Sequence, residues 1–383
     1  MGLSRRAFLR AAAAAGATCC LGRGGLARAG QGLGLVPGLL GTRESPFYRS
    51  LEGGAVECTL CPRGCQVEPG QRGACRVRQN IGGRYHTLVY GNPCAVHLDP
   101  IEKKPFFHVL PGSRSFSLAT AGCNFSCQFC QNWEISQRGP ENTLNLSLPP
   151  RQAAEEARAL GASSLASTYV EPTIFMEYML DLGREAHRLG LLKVMHSNGY
   201  VNPGPLAELM KVLDAACIDL KSASEAYYRK VCGGELGPVQ KTLRTLVKAG
   251  THTEIVHLMV PTLNDDPAET RELIRFVRDE LSPEVPVHFT RFHPRFRLLN
   301  LPPTPVATLE RARQTALEMG LKFVYLGNMG GHPGENTYCP DCRAPLIRRL
   351  GMRTQEDRLK DGRCPDCGRA IPGIWRPPDG PRA

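Results

Sequence analysis

Three cysteines in one short stretch suggest the chemistry of this chain. Cys123, Cys127 and Cys130 follow a C-x3-C-x2-C spacing, and the aromatic Phe129 directly precedes the last of them. Three thiolates on one tight loop can hold three irons of a [4Fe–4S] cluster and leave the fourth iron open to a further ligand. A three-cysteine zinc site, or a ferredoxin-like cluster with its fourth ligand from elsewhere, is the alternative. We interpret the loop as catalytic, because an open iron can bind and activate a small molecule.

Two stretches near this loop resemble a known family. Segment 99–112, DPIEKKPFFHVLPG, and segment 120–136, TAGCNFSCQFCQNWEIS, are similar to the AmmeMemoRadiSam system radical SAM enzymes, which resemble pyruvate formate-lyase activating enzyme. The resemblance covers roughly residues 55–350. It implies that S-adenosylmethionine (SAM) chelates the open iron, and that reduction of the cluster cleaves SAM to a 5′-deoxyadenosyl radical. The substrate stays open: a glycyl radical enzyme, another protein or a small molecule.

The same resemblance implies a set of SAM-binding residues, most of which follow predicted strands. They are Phe129, Glu171, Asn198, Asp219, Lys221 and His293. Glu171 stands where the superfamily has a Gly-Gly-Glu motif for the SAM amino group, although both glycines are absent here. Phe129 is expected beside the adenine, and Lys221 at the SAM carboxylate. Core packing, a helix-capping acid or a strand-end ion pair would explain the same residues without a ligand.

Short apolar runs alternate with amphipathic stretches from residue 113 to about 328. The runs predict strands at 115–121, 164–170, 191–197, 215–220, 253–260, 286–292 and 322–326. The stretches predict helices at 150–161, 174–189, 204–213 and 267–281, among others. This alternation favours an α/β fold, a partial (β/α)6-type radical SAM barrel over 113–328. Chemistry in such a barrel lies on loops at the carboxyl ends of the strands, where the candidate residues fall.

Two further cysteine groups flank the predicted barrel. An N-terminal cysteine-rich segment, 58–112, contains Cys58, Cys61, Cys65 and Cys75, which can bind zinc, ligate an auxiliary cluster or remain free thiols. A C-terminal segment, 329–383, contains two CxxC pairs, Cys339, Cys342, Cys364 and Cys367. These pairs predict a rubredoxin-like zinc ribbon, with iron as the alternative metal. Cys94, Cys217 and Cys232 stand alone in the sequence.

The first residues suggest export. Residues 1–29 combine a twin arginine, Arg5-Arg6, with a short apolar run and an A-x-A site, which together are typical of a Tat signal peptide. The run is too short to predict a stable membrane span. Residues 30–57 are interpreted as a linker. The location stays open, because the signal suggests the periplasm whereas SAM and its reductant belong to the cytoplasm.

Composition and charge restrict the classes of binding partner that we expect. The 383 residues carry a formal charge of +11, of which five charges come from arginines in residues 1–29. The ribbon segment lacks an aromatic-rich basic stripe, so no nucleic-acid partner is predicted. The expected partners are an electron donor such as flavodoxin or ferredoxin, and either a protein substrate or AMMECR- or Memo-type proteins. A non-catalytic iron–sulfur electron-transfer protein is the competing function.

Overall fold

The structure, a computed structural model, describes residues 34–382. The predicted signal peptide at 1–29 lies outside the described residues. Among the described helices, none is long and apolar enough to cross a membrane.

An eight-stranded sheet forms the centre of the fold. We number only its strands: β1 Ala95–Pro100, β2 Arg114–Ala119, β3 Ser164–Ser167, β4 Leu192–Ser197, β5 Ala215–Asp219, β6 His252–Met259, β7 Val287–Arg291 and β8 Val324–Gly327. Strands β2 to β8 are parallel and follow one another across the sheet in chain order, whereas β1 pairs antiparallel with β2 at the edge. The two edge strands do not pair with each other, so the sheet stays open. The seven predicted strands are β2 to β8.

Helices connect the parallel strands. The longer ones are α1 Pro150–Ala159, α2 Met176–Arg188, α3 Pro203–Met210, α4 Leu236–Lys248, α5 Pro267–Arg275 and α6 Val306–Glu318. Single turns of helix occur at Glu52–Gly54, Ile101–Lys103, Trp133–Ser136, Pro140–Asn142, Pro172–Phe175, Glu225–Tyr227 and Pro333–Glu335, with π-helical turns at Tyr228–Cys232 and Phe276–Leu281. Each helix from α1 to α6 lies between two consecutive parallel strands, as the partial (β/α)6 prediction requires.

Different segments pack against the two faces of the sheet. Alternate residues of a strand point to opposite faces, so neighbouring residues belong to different cores. On one face Leu165 and Ala216 belong to the large core that contains the apolar sides of the helices. On the other face, Ala166 and Cys217 pack against Phe106 and neighbouring apolar residues of the segment 99–112. The family-like segment DPIEKKPFFHVLPG is thus a plug that fills this face of the sheet.

Short antiparallel strands build both flanks. The N-terminal flank contains Val36–Pro37, Arg43–Glu44, Tyr48–Ser50, Val56–Cys58, Gln66–Val67, Arg78–Ile81 and Arg84–Thr87, and Leu144–Asn145 pairs with the first of them. The C-terminal flank contains Thr337–Tyr338, Pro345–Leu350 and Arg353–Asp357. The stretch interpreted as a linker, 30–57, therefore carries paired strands from Val36 onward. These are only two or three residues long, too short for an alternating pattern to reveal them.

Candidate active site

The cysteine loop follows β2 and is anchored to neighbouring segments through its backbone. The amides of Ser126 and Gln128 donate to the carbonyls of Cys232 and Val231, at 2.9 and 3.0 Å. Gly122, with φ of +89°, begins the loop, and a Cβ there would lie 2.5 Å from the Cys75 carbonyl oxygen. The loop is therefore held between the π-helical turn that ends at Cys232 and the N-terminal cysteine-rich segment.

The three thiols of this loop are suited to cluster ligation. Burial and the nearby Glu171 raise the pKa of Cys123, and burial raises that of Cys130. Interaction with Cys232, followed by burial, raises the pKa of Cys127. Without metal the thiols are therefore protonated, and iron must displace those protons to bind. Three buried or half-buried thiols on one loop make a donor set that fits three irons of a [4Fe–4S] cluster.

A hydrogen-bonded network joins this loop to the ends of β3 and β4. Glu171 is 3% exposed, and its Oε2 accepts from the Asn198 amide at 2.7 Å. Its Oε1 accepts from the Thr173 amide and hydroxyl, at 3.0 and 2.5 Å, and from the Ser197 hydroxyl at 2.8 Å. The Asn198 side-chain amide donates in turn to Asn124 Oδ1 at 2.8 Å. Burial raises the pKa of Glu171, while these donors oppose the rise. All four hydrogen-bond donors to Glu171 belong to the protein. In this structure the carboxylate therefore holds the chain segments that follow β3 and end β4.

A charged group occupies the end of β5. The Lys221 ammonium donates to Asp219 at 2.8 Å, and His196 Nε2 lies 3.0 Å from the other Asp219 oxygen. Burial would raise the pKa of Asp219, but Lys221 and His196 outweigh it and hold the pKa well below its usual range. Lys221 also lies 5.6 Å from the centre of the Phe129 ring, which stacks on Tyr227 at 6.3 Å. Three of the predicted residues, Phe129, Asp219 and Lys221, therefore lie together beside the cysteine loop.

His293 lies apart from these buried groups. It follows β7, as predicted, but its side chain is exposed. The same loop contacts the cysteine loop elsewhere: the Arg297 amide donates to the Gln128 carbonyl at 2.9 Å, and Phe296 stacks on Trp133 at 5.2 Å. The loop after β7 thus reaches the site, and the His293 side chain on this loop is exposed.

A second charged group lies where the plug meets β3. Tyr169, with φ of +66°, donates its hydroxyl to Asp99, which also accepts from the Lys104 ammonium at 2.6 Å. The Lys104 ammonium lies 4.0 Å from the centre of the Tyr169 ring. Burial lowers the pKa of Lys104 to about 8, although Asp99 opposes the shift. The start of the segment 99–112 and the loop after β3, which contains Glu171, therefore meet at this point in space.

Sequence reasoning did not identify Asn124, His196 and Cys232 as site residues. Asn124 lies between the first two catalytic cysteines, where the spacing motif does not specify a residue type. His196 and Cys232 are remote from the loop in sequence, and strand pairing and the π-helical turn bring them to it. His196 stands near the end of the predicted strand 191–197, whereas Cys232 lies in none of the predicted elements, so only His196 carried a signal in the sequence.

The ribbon cysteines converge as one site. Among the described residues, Cys339, Cys342, Cys364 and Cys367 form the only group of three or more potential ligands whose donor atoms all lie within 4.8 Å of one another. Two sulfur pairs, Cys339–Cys367 and Cys342–Cys364, are 3.5 and 3.6 Å apart. Tetrahedral coordination of one metal ion with bonds of about 2.3 Å spaces its sulfurs at about 3.8 Å, so this group is able to hold a single ion.

Comparison with known proteins identifies the class. The Radical SAM superfamily model matches residues 117–274, which run from β2 to α5. The uncharacterized protein MJ0808 of Methanocaldococcus jannaschii is 44% identical over 331 residues, covering 86% of this chain and 98% of that protein. The chain belongs to the radical SAM superfamily.

More distant matches lie within the same superfamily. The pyruvate formate-lyase-activating enzyme of Staphylococcus epidermidis is 26% identical over 179 residues, covering 44% of this chain and 70% of that enzyme. A solved radical SAM methyltransferase from Sphaerobacter thermophilus is 16% identical and covers 78% of this chain and 81% of its own, with a TM-score of 0.47. The predicted similarity to the activating enzymes is confirmed at the level of sequence.

Proposed function

We propose that this chain is an enzyme that cleaves SAM reductively and uses the resulting 5′-deoxyadenosyl radical on a substrate. The observation that carries the proposal is the hydrogen bond from Asn198 to Asn124, because it ties the network of Glu171 to the loop of the three cysteines. Superfamily membership implies a [4Fe–4S] cluster and SAM. When bound, the cluster supplies the electron that breaks the sulfur–carbon bond of SAM.

The side chains have distinct proposed roles. Cys123, Cys127 and Cys130 ligate the cluster. Lys221 is the cation available for the SAM carboxylate, since charge-assisted hydrogen bonds to carboxylates are strong. Phe129 offers its ring to the adenine.

Glu171 and Asn198 have supporting roles in this proposal. Because the Glu171 carboxylate already accepts four hydrogen bonds from protein donors, we assign it the positioning of Asn198. Asp219 holds Lys221 in place through their ion pair. His293, exposed on the loop after β7, would join the site through a movement of that loop.

The sequence similarities support a proposal for the substrate class and the partners. The plug 99–112 and the cysteine loop carry the similarity to the AmmeMemoRadiSam system enzymes, so we propose AMMECR- or Memo-type proteins as pathway partners. The sequence similarity to pyruvate formate-lyase-activating enzymes supports a protein substrate that receives the radical. A flavodoxin or ferredoxin would supply the electron. The tetracysteine ribbon would hold zinc as a structural ion.

One experiment separates catalysis from electron carriage. The full chain is reconstituted anaerobically with iron and sulfide, reduced with dithionite and incubated with SAM, and 5′-deoxyadenosine is measured by mass spectrometry. Wild type and the control C94A should form it, and C127A should lose both the cluster absorbance and the product. A wild-type cluster that reduces without forming product would show the chain to be an electron-transfer protein instead.

A further inference from the structure

The second group of cysteines, Cys58, Cys61, Cys65 and Cys75, lines one cavity in the N-terminal flank. Cys58 ends the strand Val56–Cys58, and the other three lie in the turns that follow it. Cys58, Cys61 and Cys75 are at most 9% exposed, and Cys65 is half-buried. Four thiols around one buried cavity are a complete set of protein ligands, unlike the three of the catalytic loop.

The spacing of these thiols argues against a single metal ion. Within residues 34–382, no three of the four sulfurs lie within 4.8 Å of one another, whereas all four ribbon sulfurs do. The three catalytic thiols are also more widely spaced than the ribbon thiols. Each thiolate of a [4Fe–4S] cluster binds a different iron, so its sulfurs are farther apart than those around one zinc ion. The N-terminal group is therefore more widely spaced than the single-ion site of the ribbon, as cluster ligation requires.

A buried hydroxyl lies against the same cavity. Tyr85 is fully buried, and its Oη has no hydrogen-bond partner among the described residues. Gly73 makes room for it, since a Cβ at that position would lie 2.6 Å from Oη. An unpartnered buried hydroxyl destabilises the folded chain, and a cluster sulfur or thiolate beside it would accept its hydrogen bond.

We propose that Cys58, Cys61, Cys65 and Cys75 bind an auxiliary [4Fe–4S] cluster, to which Tyr85 donates a hydrogen bond. The buried guanidinium of Arg78 lines the same cavity, and a nearby cation favours an anionic cluster. Arg78 is itself held by Glu177, through hydrogen bonds of 2.9 and 2.6 Å.

The cavity lies beside the catalytic loop, so we assign the auxiliary cluster a role in electron transfer. This role rests on the proposed function. Asn124 of the catalytic loop lines the cavity, and its carbonyl accepts from Arg63 Nε at 2.5 Å. An auxiliary cluster held by the four cysteines would accept one electron from a reduced flavodoxin or ferredoxin and would be reoxidised as that electron passed to the catalytic cluster. The electron would then reach SAM, whose sulfur–carbon bond would break to give methionine and the 5′-deoxyadenosyl radical.

Metal analysis of the full chain tests the site without relying on activity. After anaerobic reconstitution, wild type should hold roughly eight irons, eight sulfides and one zinc per chain. The double variant C58S/C75S should lose about half of the iron and keep its zinc, whereas the matched variant C339S/C342S should lose zinc and keep its iron. Two zinc ions with about four irons in wild type, and zinc lost from C58S/C75S, would overturn the proposal.

A second variant guards against misfolding of the double variant. Y85F removes one hydroxyl and no ligand, so it should keep all of the iron. Hydrogen bonds to cluster sulfurs raise the reduction potential, so Y85F should lower the midpoint potential of one of the two clusters. Potentials unchanged for both clusters would contradict the place of Tyr85 beside an auxiliary cluster.

The relay has its own test. C58S/C75S should lose roughly tenfold more of its 5′-deoxyadenosine rate with reduced flavodoxin than with dithionite, which reduces the catalytic cluster directly. An equal loss with both reductants, or no loss with flavodoxin, would overturn the relay. If wild type forms no 5′-deoxyadenosine with either reductant, the proposed function is wrong. The iron content of wild type and C58S/C75S still shows whether the auxiliary cluster is present.

Discussion

The carboxylate of Glu171, just after β3, accepts a 2.7 Å hydrogen bond from the backbone amide of Asn198, just after β4. Because Asn198 also donates to Asn124 in the cysteine loop, one carboxylate links the ends of three neighbouring strands. Four predictions follow from this network and from contacts elsewhere in the fold.

Glu171→Gln should weaken SAM binding without loss of iron. A glutamine places an amide donor among the donors that now surround the carboxylate, and an unsatisfied buried donor costs about 1–3 kcal/mol. We therefore expect the SAM dissociation constant to rise about tenfold, measured by equilibrium binding to the reconstituted protein. Thr173→Ser is the control, because it keeps the hydroxyl that donates to Glu171. An unchanged dissociation constant in E171Q would show that the charge of this carboxylate is dispensable.

Glu177→Gln should strongly destabilise the junction between the N-terminal flank and α2. The Arg78–Glu177 pair is almost completely buried, and breaking such a pair leaves an uncompensated charge that costs about 3–5 kcal/mol. Glu57→Gln breaks the pair with Arg49, whose side chain is 67% exposed, and should cost at most about 1 kcal/mol. Urea unfolding followed by circular dichroism compares the two. Similar midpoints for both variants would show that burial adds nothing to the first pair.

Lys193→Met should change how stability depends on pH. Lys193 is fully buried, and burial lowers the pKa of its ammonium to about 7, although Asp214 opposes the shift. Below about pH 7 the folded chain contains a buried, charged Lys193 ammonium. Between about pH 7 and 10.5 the unfolded chain keeps the proton of Lys193, whereas the folded chain has released it. Wild-type stability should therefore gain from this lysine as pH rises from about 7 to 10.

The variant removes that gain. We expect K193M to be more stable than wild type by about 1–3 kcal/mol near pH 6.5, with the difference shrinking near pH 9.5. Urea midpoints at both pH values measure it. Lys211→Met, on an exposed side chain, is the matched control and should show no such trend. A constant difference between K193M and wild type would mean that Lys193 does not titrate in this range.

Cys342→Ser should release the ion of the ribbon and loosen the C-terminal flank. Cys342 is exposed, so the substitution itself removes little packing, whereas a lost ligand opens the site. The ribbon supports the plug: Arg349 donates to the Phe107 carbonyl at 2.8 Å, and Ile374 pairs with Val109. We expect loss of bound zinc by elemental analysis and faster proteolysis after residue 337, with C94S unchanged in both. Proteolysis at the wild-type rate despite loss of the ion would show that apolar contacts alone hold the flank.

The sequence predicted the main sheet well and the flanks poorly. Strands β2 to β8 are apolar runs between turn residues, so their pattern is visible locally. Strand β1 reads Ala95–Pro100, AVHLDP, and has no such run; it forms because the exposed edge of β2 offers hydrogen bonds to it. The strands of the linker stretch 30–57 are likewise held by partners remote in sequence, such as Arg84–Thr87 for Arg43–Glu44.

The amino-acid sequence alone determined the superfamily, the alternation of strands and helices, and the number of thiols in each cysteine group. These depend on residue type and short spacing, which act within one loop or one element. Only the tertiary structure decided how far apart the thiols of each group lie, because segments distant in sequence set those distances. It also decided that Glu171 supports Asn198, and that the plug 99–112 fills one face of the sheet. Hydrogen bonds and packing between parallel strands join residues tens of positions apart, and no local pattern records them.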